Sequence, residues 1–402
     1  MARLLWGQVY YHDQFVGYLR QEPGSRVSFC YDESYLNSGA PAIAYTLPLQ
    51  KNSFIYTADL PPFFDNLVAE GWLEQAQKKL LEKRAASRFE LLLAYGHDCS
   101  GAVSVVDPEP AEITEKLLDH SNPQEMALLT NRASLSGVQP KMTVIARDGK
   151  FFPSKFNELS THIAKFSSKE HDDLLENEYL SMQAFQALLP NDSVAELFFG
   201  EVENVAKSAL LIKRFDRNNG QRIHFEEFNQ LLGRASQKKY DGAYEDMSVF
   251  ISNNTQCLIT ENYRLFLRIL AGMLIGNTDM HLKNFSMIYT PHGLRLAPSY
   301  DQVSAVLYGY KTLALSVAGA ANFAIDVLKP RSIIRLGRAY GLSDMAIDMA
   351  VKQLAKNLPQ AIHAVTAADI MNSEFKEALV NLMRKKWNGI FALIGKHLSK
   401  KR

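Results

Sequence analysis

The sequence predicts an α+β fold laid out in order along the chain: a β-rich N-terminal module, a mostly β lobe around one helix, and a larger, mostly helical C-terminal lobe holding one hairpin. Short strand-like runs broken by polar turns fill the opening residues. A single helix-period stretch stands among strand-like runs between residues 141 and 215. Beyond residue 225 the apolar period is helical almost throughout. A chain of 402 residues exceeds what one simple core covers, so several packed units are expected, with boundaries at 1–110, 111–220 and 221–402.

Between residues 4 and 31 the runs LLWGQVYY, FVGYL and RVSFCY read as antiparallel strands, and residues 41–48 read as extended too. Pro61-Pro62 then opens PFFDNLVAEGWLEQAQKKLLEKR, helical in period, followed by an apolar helix at 89–95 and a strand at 102–106. DPEPAE at 107–112 is the linker candidate. Strand-like runs recur at 141–146, 162–166, 196–202 and 208–215, with a helix at 172–188. Two apolar runs, FSMIY and LRLA, flank Thr290-Pro291-His292-Gly293, whose turn chemistry predicts a hairpin.

Composition narrows the function. The chain is 47% hydrophobic, with 44 basic against 43 acidic residues and a net charge of +1. That excludes a disordered tail and argues against a large basic surface for gripping nucleic acid. The 3 cysteines, Cys30, Cys99 and Cys257, form no CxxC pair, which fits a reducing interior. The N-terminus has no signal-peptide pattern, and the apolar stretch at 266–275 falls far short of the roughly 20 residues that span a bilayer. A soluble cytoplasmic protein with no membrane partner is expected.

The chemistry concentrates in GNTDMHLKN at 276–284, where an acid, an imidazole and an amide share one loop between an apolar helix and the hairpin. APSYD at 297–301 lies at the hairpin's far end, and a hairpin returns its ends to one place, so Asp301 is expected near Asn284. Phosphoryl transfer calls for these residue types in this order. An Asp orients and deprotonates the attacking hydroxyl, while an Asn and a second Asp hold magnesium against nucleotide phosphates. Asp279 is then the candidate base, with Asn284 and Asp301 the candidate Mg2+ ligands; the alternative is that Asp279 and Asn284 only cap a helix or shape a turn.

Lys165 lies in the apolar run HIAKF, where an inward ammonium needs a phosphate or a carboxylate. Glu178 on the following helix is a candidate partner, in competition with Glu170 and Glu176. SLSGVQPK at 134–141 leads into a strand and could cover phosphates with backbone N–H groups, aided by Lys141. Its single glycine makes it neither a Walker A loop nor the glycine-rich loop of protein kinases. KRFDR at 213–217 ends a strand, where a hinge could offer backbone groups and the Phe215 ring to an adenine; an ordinary charged strand end is the plainer reading.

Taken together, these residues resemble the HipA family of bacterial toxin kinases. The resemblance is carried by FFDNL (63–67), FELLLAYGHDCSGAVSV (89–105), SGVQPK (136–141), HIAKF (162–166), NEY (177–179), KRFDR (213–217), NTDMHLKNFS (277–286) and LAPSYD (296–301), in family order. It implies a two-lobed, protein-kinase-like fold with an added N-terminal subdomain, and transfer of the ATP γ-phosphate to Ser or Thr of a protein. Family substrates are aminoacyl-tRNA synthetases, notably the glutamyl enzyme, whose inhibition stops translation and favours dormancy.

Carried over, Asp279 looks like the catalytic Asp, Asn284 and Asp301 the magnesium pair, and Lys165 the lysine on the ATP phosphates. Ser136, Gly137, Val138, Gln139, Pro140 and Lys141 look like the phosphate loop. Lys213, Arg214 and Phe215 look like the adenine hinge, and His281, Leu282, Lys283 and Asn284 with Tyr300 the remainder of the nucleotide pocket. Family members phosphorylate a serine of the phosphate loop in trans and so switch themselves off; Ser134 is the matching position and Ser136 a second candidate. The implied partner is a HipB-like helix-turn-helix antitoxin that binds operator DNA as a dimer. Lys213 and Met280 depart from the residues several relatives carry.

Competing readings are a lipid or small-molecule kinase, a catalytically inactive kinase-like partner or co-repressor of a DNA-binding antitoxin, and a metal-dependent hydrolase on Asp279, His281 and Asp301. The N-terminal motifs weigh against the first. Intact Asp279, Asn284, Asp301 and Lys165 weigh against the second, and the scarcity of His and carboxylate ligands against the third.

Overall fold

The computed structural model describes residues 4–24, 26–57, 60–81, 86–109, 139–155, 158–167 and 173–399. The chain divides into two compact units, Met1–Asp172 with Glu196–Lys238, and Asp173–Ala195 with Lys239–Arg402.

The first unit opens with an antiparallel sheet in the order Phe54–Thr57, Arg26–Tyr31, Gln14–Glu22, Trp6–Tyr11, Val103–Val106. Val9, Leu19, Val27, Phe29, Val103 and Val105 are buried from it, and the helix Arg88–Tyr95 adds Phe89 and Leu92 to the same core. That helix begins at a capping box, in which the Ser87 and Glu90 side chains each accept from the other's backbone N–H.

Residues 41–48, expected to be extended, form no strand. They wrap the Tyr31 hydroxyl, which donates to the Leu47 carbonyl at 2.5 Å and accepts from the Ile43 N–H at 3.1 Å. Backbone groups that a strand would give to a neighbouring strand go to a side chain instead. The helix expected from residue 62 onward is split into Pro62–Asp65 and Gly71–Leu80. Gly71 has a φ of 61°, which L side chains rarely adopt, and Asn66 donates to the carbonyls of Pro62 and Arg234 at 2.7 and 2.8 Å.

A second antiparallel sheet runs Lys150–Pro153, Lys141–Arg147, His162–Lys165, Ala206–Lys213, Leu197–Val202. Met142, Val144, Ala164 and Leu211 close a small core, and Ile163 packs on Leu73, Ala76 and Leu80. A buried ion network binds this sheet to the N-terminal module. Arg214 donates to Asp98 at 3.1 Å, Asp216 at 2.7 Å, Ser160 at 2.8 Å and the Cys99 carbonyl at 3.0 Å. Arg217 reaches Asp98 at 2.7 Å and Asp216 at 2.8 Å. Burial alone would raise both carboxyls, but the Arg214 and Arg217 charges outweigh it and hold them below the ordinary carboxylate range.

The second unit is mainly helical. Thr260–Ile275 is buried without a break from Leu265 onward, which explains its continuous apolar sequence. Leu174–Leu188 packs on Asp344–Ala367 and belongs to this unit, although the sequence groups it with the preceding strands. The hairpin pairs Ser286–Thr290 with Gly293–Leu296 around the expected turn. At Gly293, with φ of 97°, a Cβ would lie 2.3 Å from the Gln256 carbonyl oxygen, so only glycine fits. Residues 309–324 are irregular, not helical, and carry positive φ at Gly309, Ala318, Gly319 and Asn322. No helix among the described residues is long and apolar enough to cross a membrane.

Candidate active site

Helix Thr260–Ile275 stops at Gly276, whose φ of 79° is left-handed. The Asn277 N–H then folds back to the Gly272 carbonyl at 2.9 Å. Asn277 is buried; its Oδ1 accepts the Asp279 N–H at 3.0 Å, and its Nδ2 donates to Gln302 at 3.0 Å. The Asp279 carbonyl accepts from the His281 N–H at 2.9 Å and from Asn284 Nδ2 at 2.8 Å. Both sides of the Asp279 main chain are thereby fixed. The Met280 side chain fills the space over Gly272, where a Cβ would stand 2.2 Å from its sulfur.

Asp279 opens to solvent while Asn277, Thr278, Met280 and His281 are buried. The protein around its carboxyl removes enough water to raise the pKa to about 6, and the negative charge of Asp301 adds to the rise. The Tyr240 hydroxyl, donating to Asp279 Oδ1 at 3.2 Å, and the Lys239 ammonium oppose it. Asp301 holds a φ of 57°, the left-handed region that Asp enters more readily than most residues.

The hairpin brings its far end to this loop. The Ala297 N–H donates to the Ser286 carbonyl at 2.8 Å, and the Tyr300 hydroxyl donates to the Lys283 carbonyl at 2.8 Å while lying 2.5 Å from the Ser286 hydroxyl. Arg268 clamps the segment from below, donating to the Ala297 carbonyl at 2.7 Å and to Asp192 at 2.5 and 2.8 Å. Ser299 exchanges backbone bonds of 2.8 Å with Ser193 and Ala195. Beyond Asp301, the Ser304 N–H donates to Asn177 Oδ1 at 2.8 Å, and Asn177 is fully buried. Leu282 and Lys283 are buried, with the Leu282 N–H on the Lys239 carbonyl at 3.2 Å.

No group of three or more His, Cys, Asp or Glu side chains gathers as a metal cluster among the described residues. Magnesium does not require one, because it is held by one or two carboxylates together with phosphate oxygens and water. The Asp301 carboxylate, whose charge is felt at Asp279, and the Asn284 side-chain oxygen are donors of the kind a hard cation takes.

In the first unit, Lys141 and Lys165 are direct cross-strand partners, and both are buried. Gln139 donates to the Phe166 carbonyl at 3.1 Å, and the Phe166 N–H donates to the Pro140 carbonyl at 3.0 Å, which anchors the strand entry beside Lys165. Ser134, Ser136, Gly137 and Val138 lie outside the described residues. Lys213 donates to the Glu196 carboxylate at 3.0 Å on the surface. The Arg214 side chain is taken up by Asp98 and Asp216 and its N–H by the Thr161 carbonyl at 3.0 Å. The Phe215 ring lies 4.9 Å from Phe225. Glu178 is buried on Leu174–Leu188, in the second unit.

Several contributors escaped the sequence reading. Asn277 carried a signal, since an Asn two residues before an Asp is placed to accept its N–H. Tyr240 and Asp192 reach this region from distant segments and carried none, while Asn177 stood in the NEY motif without any sign of its contact with Ser304.

A family model for the HipA N-terminal domain matches residues 7–106, and one for the HipA-like C-terminal domain matches residues 133–362. In sequence the chain is 30% identical over 385 residues to the protein Y4dM of Sinorhizobium fredii, covering 86% of this chain and 90% of that protein. It is 27% identical over 372 residues to the serine/threonine-protein kinase toxin HipA of Shewanella oneidensis, covering 83% of each. The fold is similar to that of HipA from Shewanella oneidensis solved with HipB and operator DNA, with a TM-score of 0.76 and 22% identity over 96% of this chain and 99% of that one. With both family domains matched in succession and the α+β fold shared along nearly the whole length, the chain belongs to the HipA family.

Proposed function

We propose that the chain is an ATP-dependent serine/threonine protein kinase and the toxin of a type II toxin–antitoxin pair. The observation that carries this reading is the Asp279 carboxyl on a loop whose backbone is pinned on both sides, with Asn284 tied to the same loop and the Asp301 charge felt at Asp279. Bound Mg-ATP supplies the transferable γ-phosphoryl group. The Asp279 carboxylate, raised to about 6, is a proton acceptor matched to near-neutral pH and takes the proton of the acceptor hydroxyl. Asn284 and Asp301 offer oxygen atoms to the metal.

Lys141 and Lys165 supply two cations to phosphate oxygens. Like charges at directly opposed strand positions disfavour one another, and an anion between them reverses the sign. In this reading residues 136–141 are the phosphate contacts, the hinge at 213–215 is the adenine contact, and His281, Leu282, Lys283 and Tyr300 are further nucleotide contacts. With the Arg214 guanidinium taken up by Asp98 and Asp216, its N–H by the Thr161 carbonyl and its carbonyl by the Arg217 N–H, the hinge contact to adenine falls to Lys213 and Phe215.

The finer reading follows the family. The acceptor is a serine or threonine of a translation protein, an aminoacyl-tRNA synthetase such as the glutamyl enzyme, in the cytoplasm, and growth arrest is the result. Phosphorylation of Ser134 or Ser136 switches the kinase off. A HipB-like helix-turn-helix antitoxin links the chain to operator DNA, supported by the solved relative that carries HipB and its operator.

Mass spectrometry of wild type and Asp279→Ala after incubation with Mg-ATP and a synthetase-rich bacterial lysate tests the reading. Phosphate on a synthetase and on Ser134 or Ser136, absent with Asp279→Ala, is expected. No phosphate on any protein would leave the non-catalytic partner reading in its place.

A further inference from the structure

We infer that Tyr240 is a positioning residue for Asp279, holding its carboxylate in the orientation in which it accepts the proton; the inference rests on the proposed role of Asp279 as base. The Asp279 main chain is fixed by Asn277, His281 and Asn284. Its carboxylate, by contrast, receives one side-chain hydrogen bond among the described residues, from the Tyr240 hydroxyl at 3.2 Å. Without that bond nothing described selects the rotation of the carboxylate about its own axis, a broad torsion for Asp.

The phenol is itself held. Its ring stands edge-on to His281, with centroids 5.1 Å apart at 83°, and the Lys239 ammonium lies 5.4 Å from the ring centroid. The His281 N–H in turn donates to the Asp279 carbonyl at 2.9 Å. Tyr240, His281 and Asp279 therefore close a triangle of contacts, in which a residue far away in sequence locks the side chain and the loop's own imidazole locks that residue. Tyr240 is 48% exposed, an unusual place for a tyrosine serving only the core, and loss of its hydroxyl leaves no buried cavity.

The test uses the full chain with γ-labelled ATP, magnesium and bacterial lysate protein as acceptor. Initial rates and thermal midpoints are compared for wild type, Tyr240→Phe and Asp279→Asn. Tyr240→Phe keeps the ring and its His281 contact but loses the donor. It is expected to lower kcat about tenfold, with the KM for ATP and the midpoint unchanged, as for a group that acts only on the orientation of the base.

A silent Asp279→Asn together with a wild-type Tyr240→Phe would overturn the role of Tyr240 and leave the base assignment intact. An Asp279→Asn variant that keeps its rate, or a wild-type chain that labels nothing, would overturn the base assignment and this inference with it. A faster Tyr240→Phe, meaning the hydroxyl obstructs the acceptor, or a rate loss matched by a lowered midpoint, would overturn it as well.

Discussion

Single residues in this chain have charge states set by what surrounds them, and opposite surroundings give opposite results. Asp279 is pushed up because water is withdrawn and a second carboxylate stands near it, whereas Asp98 and Asp216 are held down because two guanidinium groups outweigh their burial. His224 shows the same principle for a base. It is buried against Tyr11 and Phe63, and burial, followed by the neighbouring His12, holds its pKa down to about 3. The unfolded chain takes up this proton below about 6.5 while the fold refuses it, so His224 is neutral to stability above that pH. Between there and about 3 it removes roughly 1.4 kcal/mol per pH unit. Urea unfolding at pH 7 and pH 5 should therefore show a smaller acid loss for His224→Gln than for wild type; an equal loss would contradict the assignment.

At the scale of elements, the hairpin and its neighbours were legible. Thr290-Pro291-His292-Gly293 announced the turn, and the unbroken apolar run announced the buried helix Thr260–Ile275. Four strands of the second sheet were likewise legible from their β-branched and apolar residues, while the short edge strand Lys150–Pro153 was not. What escaped reading was decided by distant partners. Residues 41–48 have a strand's composition, but the Tyr31 hydroxyl claims their backbone, and the helical period from residue 62 gives no warning of the turn at Gly71. The grip on the Asp301 segment was hidden for the same reason, since Asp192 and Arg268 meet across a long sequence separation. The Arg268 side chain is 3% exposed, and removing it strips a donor from the Ala297 carbonyl and leaves Asp192 to Arg264 and the Ser193 N–H. Because Asp192 keeps Arg264, the loss is that of the buried hydrogen bonds, so Arg268→Met should lower the denaturation free energy by about 1–3 kcal/mol in a urea titration.

For the whole molecule, the motifs that carried the family resemblance divide into two jobs. NTDMHLKNFS and LAPSYD build the candidate site, whereas FFDNL, GHD and RFDR are joints. Asp65 accepts the Ser236 N–H at 2.6 Å, and Asp98 accepts from Arg214 and Arg217. The N-terminal module is thus part of the first unit's interior. A chain starting at residue 111 would lose Asp98 and the Cys99 carbonyl from around Arg214 and Arg217, together with the apolar core that the module shares with Arg88–Tyr95. Expressed alone, residues 111–402 should be insoluble or lack a cooperative melt, and a soluble fragment with a sharp thermal transition would refute this.

The chain passes between its two units after Asp172, after Ala195 and after Lys238. Synthesis on the ribosome therefore cannot finish one unit before starting the other. Leu174–Leu188 emerges ahead of the strands Leu197–Val202 and Ala206–Lys213 that complete the first unit's sheet, and long before Asp344–Ala367, the helix it packs against. A nascent chain halted near residue 320 already carries Asp279, Asn284 and Asp301, yet the helix on which Leu174–Leu188 packs has not been made. The proposed catalytic loop is thus made before the helix that its own unit packs on, so a chain cut short near residue 320 is expected to transfer no phosphate.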